Sequence, residues 1–286
     1  MKKFSFKPSM AYIGVVCVTL IYALNSGLAA VSLQQPWVSA KAAILIDADT
    51  GKVLYSKNSD EVRAVASLTK VMTTILTLEA GDLDRQFGVD NKVIHVEGTT
   101  MGLRENDIVT RRALCYGMML PSGNDAANAA AVSVGGSVGE FVKLMNLKAK
   151  QIGMTNTVFA NPHGLDQTGH LSTARDMAVL TAYALSNEDF REICSSKRIR
   201  IEFGNPPYKR WLSNNNKLLH RYDGCIGVKT GFTDNARRCL ISAAFCEDSN
   251  KTLIAVTLNA PDDWNDHARM YDYGFSLMEL IVKDYE

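Results

Sequence analysis

The chain has 286 residues, 47% hydrophobic and 21% charged, with a net charge of +1. That balance excludes a disordered or fibrous protein, and the near-neutral charge leaves no footprint for nucleic acid. The length suffices for one large domain or two small ones around a substantial core.

The N-terminus departs from this average. Residues 1–10, MKKFSFKPSM, carry three lysines and no acid; AYIGVVCVTLIYAL follows at 11–24 and NSGLAAVS at 25–32. A basic start, an apolar stretch and a small-residue exit describe a secretory signal peptide over 1–30, cut after Ala29 or Ala30. The apolar character continues to Val31, close to the roughly 20 residues a span needs, so an uncleaved membrane anchor is the alternative. Either reading places the remainder outside the cytoplasm. Loss of the leader leaves 28 basic and 30 acidic residues, and removes Cys17 from the six cysteines. No C-x-x-C pair or Cys/His cluster with zinc spacing appears, which argues against a metal site. Five cysteines do not complete a disulfide framework. Buried free thiols are expected, and Cys225 and Cys239, flanking a hairpin, are the one pair placed to bond.

Residues 42–58 read as two strands around a turn at Asp49–Gly51. A helix over 67–80 ends at Gly81, and its apolar positions Leu68, Val71, Met72, Ile75, Leu76 and Leu78 run most of the way round, as in a central helix. Thr110 caps a helix over 111–119 that stops at Pro121. An Ala-rich helix over NDAANAAAVSV and an amphipathic one ending at Gly153 come next, and Thr173 with Asp176 has the spacing of a capping box. GVKTGFT, CLISAAFC and KTLIAVTLNA read as three consecutive strands, and a helix over about 262–282 follows. No repeat or long linker interrupts residues 31–286. Strands at both ends with helices between them point to an α+β fold, an antiparallel sheet of about five strands covered by helices.

Within this frame three short motifs carry chemistry. Residues 64–76, AVASLTKVMTTIL, bury Lys70 one helical turn from Ser67. A buried ammonium is costly unless it is compensated or sheds its proton. A desolvated, neutral Lys70 on the same helix face can take the Ser67 proton, and a helix start favours a developing anion. PSGND sets Ser122 and Asn124 at the junction of two helices. There a hydroxyl could relay a proton and an amide hold a carbonyl, and a simple N-cap is the competing reading. GVKTGFT puts Lys229, Thr230 and Gly231 on an edge strand. An ammonium beside a hydroxyl binds a carboxylate, and a glycine admits a substrate backbone; a solvated lysine before a turn glycine is the plainer alternative.

Ser-x-x-Lys, Ser-x-Asn and Lys-Thr-Gly in this order are shared by penicillin-binding proteins and class A β-lactamases. With AAILIDADTGKVLYSKN, LPSGNDAANAAA and FANPHGLDQTGHLSTARDMA, the chain resembles serine D-alanyl-D-alanine carboxypeptidases over residues 40–275. These are the low-molecular-mass penicillin-binding proteins, peptidase family S11. The resemblance implies a penicillin-binding protein/β-lactamase-like fold with a helical subdomain, and no cofactor. It implies peptidoglycan stem peptides as substrates, β-lactams as covalent inhibitors, and membrane contact only through a retained N-terminal segment. Carried over by position, Ser67 would be the nucleophile, Lys70 its base and Ser122 the proton relay to the leaving D-alanine. Asn124 would hold the substrate backbone, Lys229 and Thr230 the terminal carboxylate, and the backbone N–H groups of Ser67 and Phe232 the oxyanion.

This chain departs from the resemblance at three places. Phe232 stands where relatives often carry His or Thr, Arg237 where a glycine is expected after Ala236, and the C-terminal β domain and membrane-binding helix of many relatives are expected to be missing. Arg237 and Arg238 are expected near the cleft rim. A β-lactamase or a non-catalytic penicillin-binding wall protein is the alternative. The first would need a Glu-x-x-Leu-Asn loop, and NPHGLD occupies that stretch instead. His163 and Asp166 there read as a structural loop, Asp176 as a helix cap and Asn214–Asn216 as a turn; His95, His170, His220 and His267 receive no chemical role.

Overall fold

A computed structural model describes residues 33–283, so the leader expected over 1–30 lies outside the described residues. In chain order the elements are β1 (Ala42–Asp47), β2 (Val53–Lys57), α1 (Lys70–Glu79), β3 (Gln86–Gly88), α2 (Asn91–Ile94), β4 (Ile108–Thr110), α3 (Arg111–Met119) and α4 (Asn124–Gly135). Then come α5 (Val138–Gln151), α6 (Ala174–Leu185), α7 (Glu188–Ser195), β5 (Arg198–Gly204), β6 (Pro207–Ser213), β7 (Cys225–Thr233), β8 (Arg237–Cys246), β9 (Lys251–Leu258) and α8 (Asp263–Lys283).

Five strands form one antiparallel sheet in the order β2-β1-β9-β8-β7, which leaves β7 on an edge. Side chains alternate across a strand, and both faces of this sheet are covered. Ile44, Ile46, Ile241, Ile254 and Val256 face the helical layer with Leu68, Val71 and Met72, while Ala43, Leu45, Leu253 and Ala255 pack on Met270 and Tyr271 of α8. The result is α8, then the sheet, then a layer in which α1 is central. Seven of α1's ten residues are 1% exposed or less, Lys70 among them.

The α+β expectation and the five-stranded sheet match the structure, as do the Thr110 cap (accepting from Ala113 N–H at 3.1 Å) and the Thr173 cap (accepting from Asp176 N–H at 3.0 Å). Three features differ. The helix expected from residue 67 begins as a 3-10 turn over Ala66–Thr69 and becomes α-helical at Lys70. Arg198–Gly204 and Pro207–Ser213 add an antiparallel hairpin, β5–β6, that the sequence reading does not contain. Cys225 and Cys239 do not bond: Cys225 pairs with Ala244 and Cys239 with Gly231, so the two lie far apart along the hairpin, and Cys115, Cys194, Cys225, Cys239 and Cys246 are all free thiols. Among the described residues no helix is long and apolar enough to cross a membrane.

Candidate active site

The turn carrying Ser67 is held in an unfavourable shape. Ala66 has φ +49°, a region that disfavours side chains and marks sites where structure is over-determined. Its carbonyl accepts a 2.8 Å hydrogen bond from Thr69 Oγ1. His170 stands behind that hydroxyl with Nε2 2.7 Å away, and its Nδ1 accepts from Ala160 N–H at 3.0 Å. With Nδ1 an acceptor, Nε2 carries the proton and donates to Thr69, which donates to Ala66. Burial pushes the His170 pKa down to about 4, which keeps the ring neutral.

A second brace is Gly164, at φ +90°, where a Cβ would stand 2.0 Å from the Ala66 carbonyl oxygen. Only glycine lets the 161–167 loop lie this close. That loop is tied down by Asn161, which accepts from Gly164 N–H at 2.7 Å and donates to the Leu165 carbonyl at 2.9 Å, and by Thr73 Oγ1, which donates to the Pro162 carbonyl at 2.6 Å.

Beneath half-buried Ser67 lies Lys70, 0% exposed. Its Nζ is 2.9 Å from Ser67 Oγ, 2.7 Å from Asn124 Oδ1 and 2.7 Å from the His163 carbonyl oxygen. Two of these three partners, an amide oxygen and a backbone carbonyl, can only accept. A neutral amine spends its two N–H groups on them and turns its lone pair to Ser67, the one partner with a proton to give. Burial lowers the Lys70 pKa well below its ordinary value, and the positive charge of Lys229 lowers it further against a smaller opposing effect of Asp125. A lysine with its pKa lowered in this way is one that can present a free electron pair to a serine hydroxyl.

Ser122 and Asn124 flank Gly123, which is the N-cap of α4 and makes no side-chain cap bond, so neither residue serves as an ordinary cap. Ser122 has φ +70°, is 5% exposed and makes no side-chain hydrogen bond to any described residue; its carbonyl is held by Thr99 Oγ1 at 2.6 Å. Asn124 donates from Nδ2 to the Glu97 carbonyl at 2.7 Å, which fixes the amide flip and aims Oδ1 at Lys70. Asp125, unforeseen from the sequence, is 1% exposed and accepts from Met101, Gly102 and Leu103 N–H at 2.8–2.9 Å, holding the 99–103 wall in place.

On the opposite side runs β7. A Cβ on Gly231 would stand 3.1 Å from Ser67 N and 3.2 Å from the Val65 carbonyl, so this glycine admits the Ser67 turn as well as any substrate. Thr230 faces the cleft. Lys229 beside it is 1% exposed, with Nζ donating to the Thr230 carbonyl at 2.8 Å, and burial lowers its pKa to about 7. Ser67, Thr99, Ser122, Asn215, Lys217 and Thr230–Phe232 line one cleft of about 410 Å³ with Arg238, Cys239, Asp263 and Trp264. Sequence reasoning placed the three motifs together and Arg238 at the rim. It missed the His163 carbonyl and read no role for His170 in bracing the turn.

The family model for D-alanyl-D-alanine carboxypeptidase, peptidase family S11, matches residues 29–262. The chain belongs to this family. DacF, a D-alanyl-D-alanine carboxypeptidase of Bacillus subtilis, is 39% identical over 84% of the chain, which spans 63% of that relative's length. DacB2 of Mycobacterium tuberculosis, also named a D-alanyl-D-alanine carboxypeptidase, is 33% identical over 83% of both chains. The crystal structure of the Streptomyces K15 DD-transpeptidase superposes with a TM-score of 0.80 at 31% identity, covering 85% of this family member and 99% of that chain.

Proposed function

We propose that this chain is a serine D-alanyl-D-alanine carboxypeptidase that removes the terminal D-alanine from peptidoglycan pentapeptide stems, with residues 31–286 as its catalytic domain. The observation that carries the reading is the 2.9 Å contact between Ser67 Oγ and a fully buried Lys70 whose other two partners cannot supply a proton.

In the proposed reaction the stem peptide lies along β7 with its terminal carboxylate at Thr230 and its scissile carbonyl over Ser67. Ser67 Oγ attacks the carbonyl carbon of the penultimate D-alanine as its proton passes to Lys70 Nζ. The backbone N–H groups of Ser67 and Phe232 receive the oxyanion; the close approach of Gly231 to the Ser67 amide supports this pairing. The C–N bond breaks as the departing amine takes a proton through the Ser122 hydroxyl, whose lack of a fixed partner suits a relay. Water then hydrolyses the Ser67 ester and returns the site to its starting state. Asn124 acts on Lys70 and retains one N–H of its amide for the substrate backbone. A β-lactam presents a strained amide beside a carboxylate and would acylate Ser67 by the same route.

The leader expected over residues 1–30 would carry this domain to the outer side of the cytoplasmic membrane of a bacterium, where such substrates lie. The functional reading is tested by release of D-alanine from a pentapeptide stem together with fluorescent-penicillin labelling. Both should occur in the wild type and vanish in Ser67→Ala. Rapid penicillin hydrolysis with no D-alanine released would instead make the protein a β-lactamase.

A further inference from the structure

Three segments meet around the two amides proposed to receive the oxyanion. The Ser67 turn touches the 161–167 loop at Gly164, where a Cβ would stand 2.0 Å from the Ala66 carbonyl oxygen. It touches β7 at Gly231, where a Cβ would stand 3.1 Å from Ser67 N. Two residues beyond each glycine, the loop and the strand meet each other: Thr233 Oγ1 donates to Asp166 Oδ1 at 2.9 Å. The circuit Ala66–Ser67, Gly231–Phe232–Thr233, Asp166–Leu165–Gly164 is thereby closed, and the Ser67 and Phe232 N–H groups both belong to it. Two of its three closures are backbone packed on backbone. The third is the only hydrogen bond that joins residues 161–167 to β7 among the described residues.

The Thr233 hydroxyl is committed on both sides. It accepts from Ala236 N–H at 3.0 Å, which leaves its own proton for Asp166. Thr233 is the last residue of β7 and follows Phe232 directly. Asp166 follows the two groups through which the loop serves the site, the His163 carbonyl 2.7 Å from Lys70 Nζ and Gly164 under the Ser67 turn. Asp166 is exposed, and neither it nor Thr233 lines the cleft. A carboxylate beside a strand that supplies an oxyanion donor opposes the charge developing there. What Asp166 contributes is the bond it accepts.

We propose that Asp166 and Thr233 are positioning residues, whose hydrogen bond closes this circuit and holds the Phe232 amide in place against the Ser67 amide. This deepens the carboxypeptidase reading and rests on it. The tie touches no substrate and acts on geometry alone, through the oxyanion donors.

The test uses Asp166→Ala, Asp166→Asn, Thr233→Val, Thr233→Ser and the double variant Asp166→Ala/Thr233→Val. Release of D-alanine from Nα,Nε-diacetyl-Lys-D-Ala-D-Ala by the wild type, measured first, judges the functional reading alone. Stopped-flow acylation by a chromogenic cephalosporin then reads the tie, even where no D-alanine is released. It separates the dissociation constant of the initial complex from the acylation rate constant. In Asp166→Ala and Thr233→Val the rate constant should fall by about 10- to 100-fold, the scale of a donor misplaced by about 1 Å and short of one lost outright. The dissociation constant and the melting temperature should stay near wild type. Asp166→Asn keeps an acceptor oxygen and Thr233→Ser a hydroxyl, so both should retain most of the rate. In the Thr233→Val background, Asp166→Ala should add nothing, because the bond is already gone. A fall in Asp166→Asn as deep as in Asp166→Ala would trace the effect to charge. A further fall in the double variant would show two independent roles, and weaker initial binding at an unchanged rate constant would make the pair a substrate contact. Each of these, like an unchanged rate in Asp166→Ala, overturns the proposal, and a wild type that neither releases D-alanine nor is acylated overturns both readings.

Discussion

Asn124 Oδ1 lies 2.7 Å from Lys70 Nζ, and the Asn124 amide is locked in that sense by its own donation to the Glu97 carbonyl. A side chain 54 positions away thereby decides where the lysine's lone pair can point. In the proposed neutral form Asn124 Oδ1 and the His163 carbonyl both accept hydrogen bonds from the amine, so only the Ser67 side remains for the pair. On the proposed mechanism this is how a residue 0% exposed and without a carboxylate partner would serve as a base.

Replacing Asn124 by Asp tests the arrangement with almost no change of shape. The new carboxylate next to Nζ would hold Lys70 as an ammonium, because a neighbouring anion raises a lysine pKa. Acylation of Ser67 by penicillin at pH 7 should fall by about 10²-fold or more, the scale of losing a general base, while the melting temperature stays near wild type or rises. Stopped-flow acylation and thermal melts read the two effects separately. A fast-acylating Asn124→Asp would contradict the lone-pair assignment.

Lys229 of β7 bears on the same proton. Its charge lowers the Lys70 pKa, second only to burial. In Lys229→Met that repulsion disappears, so the Lys70 pKa should rise and the limb on which acylation increases should move to higher pH. Stability should hold or improve, because a buried cation without an acid is costly to fold. The same pH profile with Lys229 and with Met would sink this coupling.

Gly164 is the narrowest point of the brace under Ser67. An added methyl group would meet the Ala66 carbonyl oxygen at 2.0 Å, at a backbone angle side chains avoid. Gly164→Ala should cost at least about 1–3 kcal/mol from strain. For a chain of this size that corresponds to a fall in melting temperature of roughly 2–10 °C. Acylation should slow as well, since the shift passes directly to the Ser67 turn. Unchanged melting and acylation would show that the loop is free to move.

Two buried histidines, His170 and His267, and the half-buried His163 predict how the fold responds to acid. Burial lowers the pKa to about 3 for His163 and His267 and to about 4 for His170. An unfolded histidine takes up its proton near 6.5. Between about pH 6.5 and 4 the unfolded chain therefore binds more protons than the native one. Stability is full above 6.5 and declines as pH falls through that window. His267 is held between Ser242 Oγ at 2.6 Å and Thr257 Oγ1 at 2.9 Å, so His267→Gln should flatten the decline even if it lowers the starting point. Melting temperatures at pH 7.5, 6 and 5 check the slope.

Much of the site was legible because it obeys local periods. Ser67 and Lys70 share a helical face, Ser122 and Asn124 bracket a helix junction, and Thr230 sits on an edge strand, all readable from spacing. What the spacing could not carry depends on partners distant in sequence or on backbone atoms. The third ligand of Lys70 is the carbonyl of His163, which any residue type could offer. His170 braces Ala66 through Thr69, 101 positions away. Lys229 is 1% exposed and donates to the Thr230 carbonyl, a placement that the spacing of the motif does not announce. The β5–β6 hairpin reads as polar because one face is open to solvent: Arg198, Arg200 and Glu202 alternate with Ile199, Ile201 and Phe203 across the ladder. That period of two was the signal available for it.

The central claim is that Lys70 is an uncharged amine when it receives the Ser67 proton. The pH dependence of the rate constant for Ser67 acylation by a chromogenic β-lactam, in wild type and in Lys70→Arg, addresses it most directly. The account predicts a wild-type rate that is already high at pH 7 and governed by an ionisation far below that of an ordinary lysine, with Lys70→Arg inactive because its guanidinium keeps its proton. A rate that rises only near pH 10, or an arginine variant that acylates at wild-type speed, would contradict it.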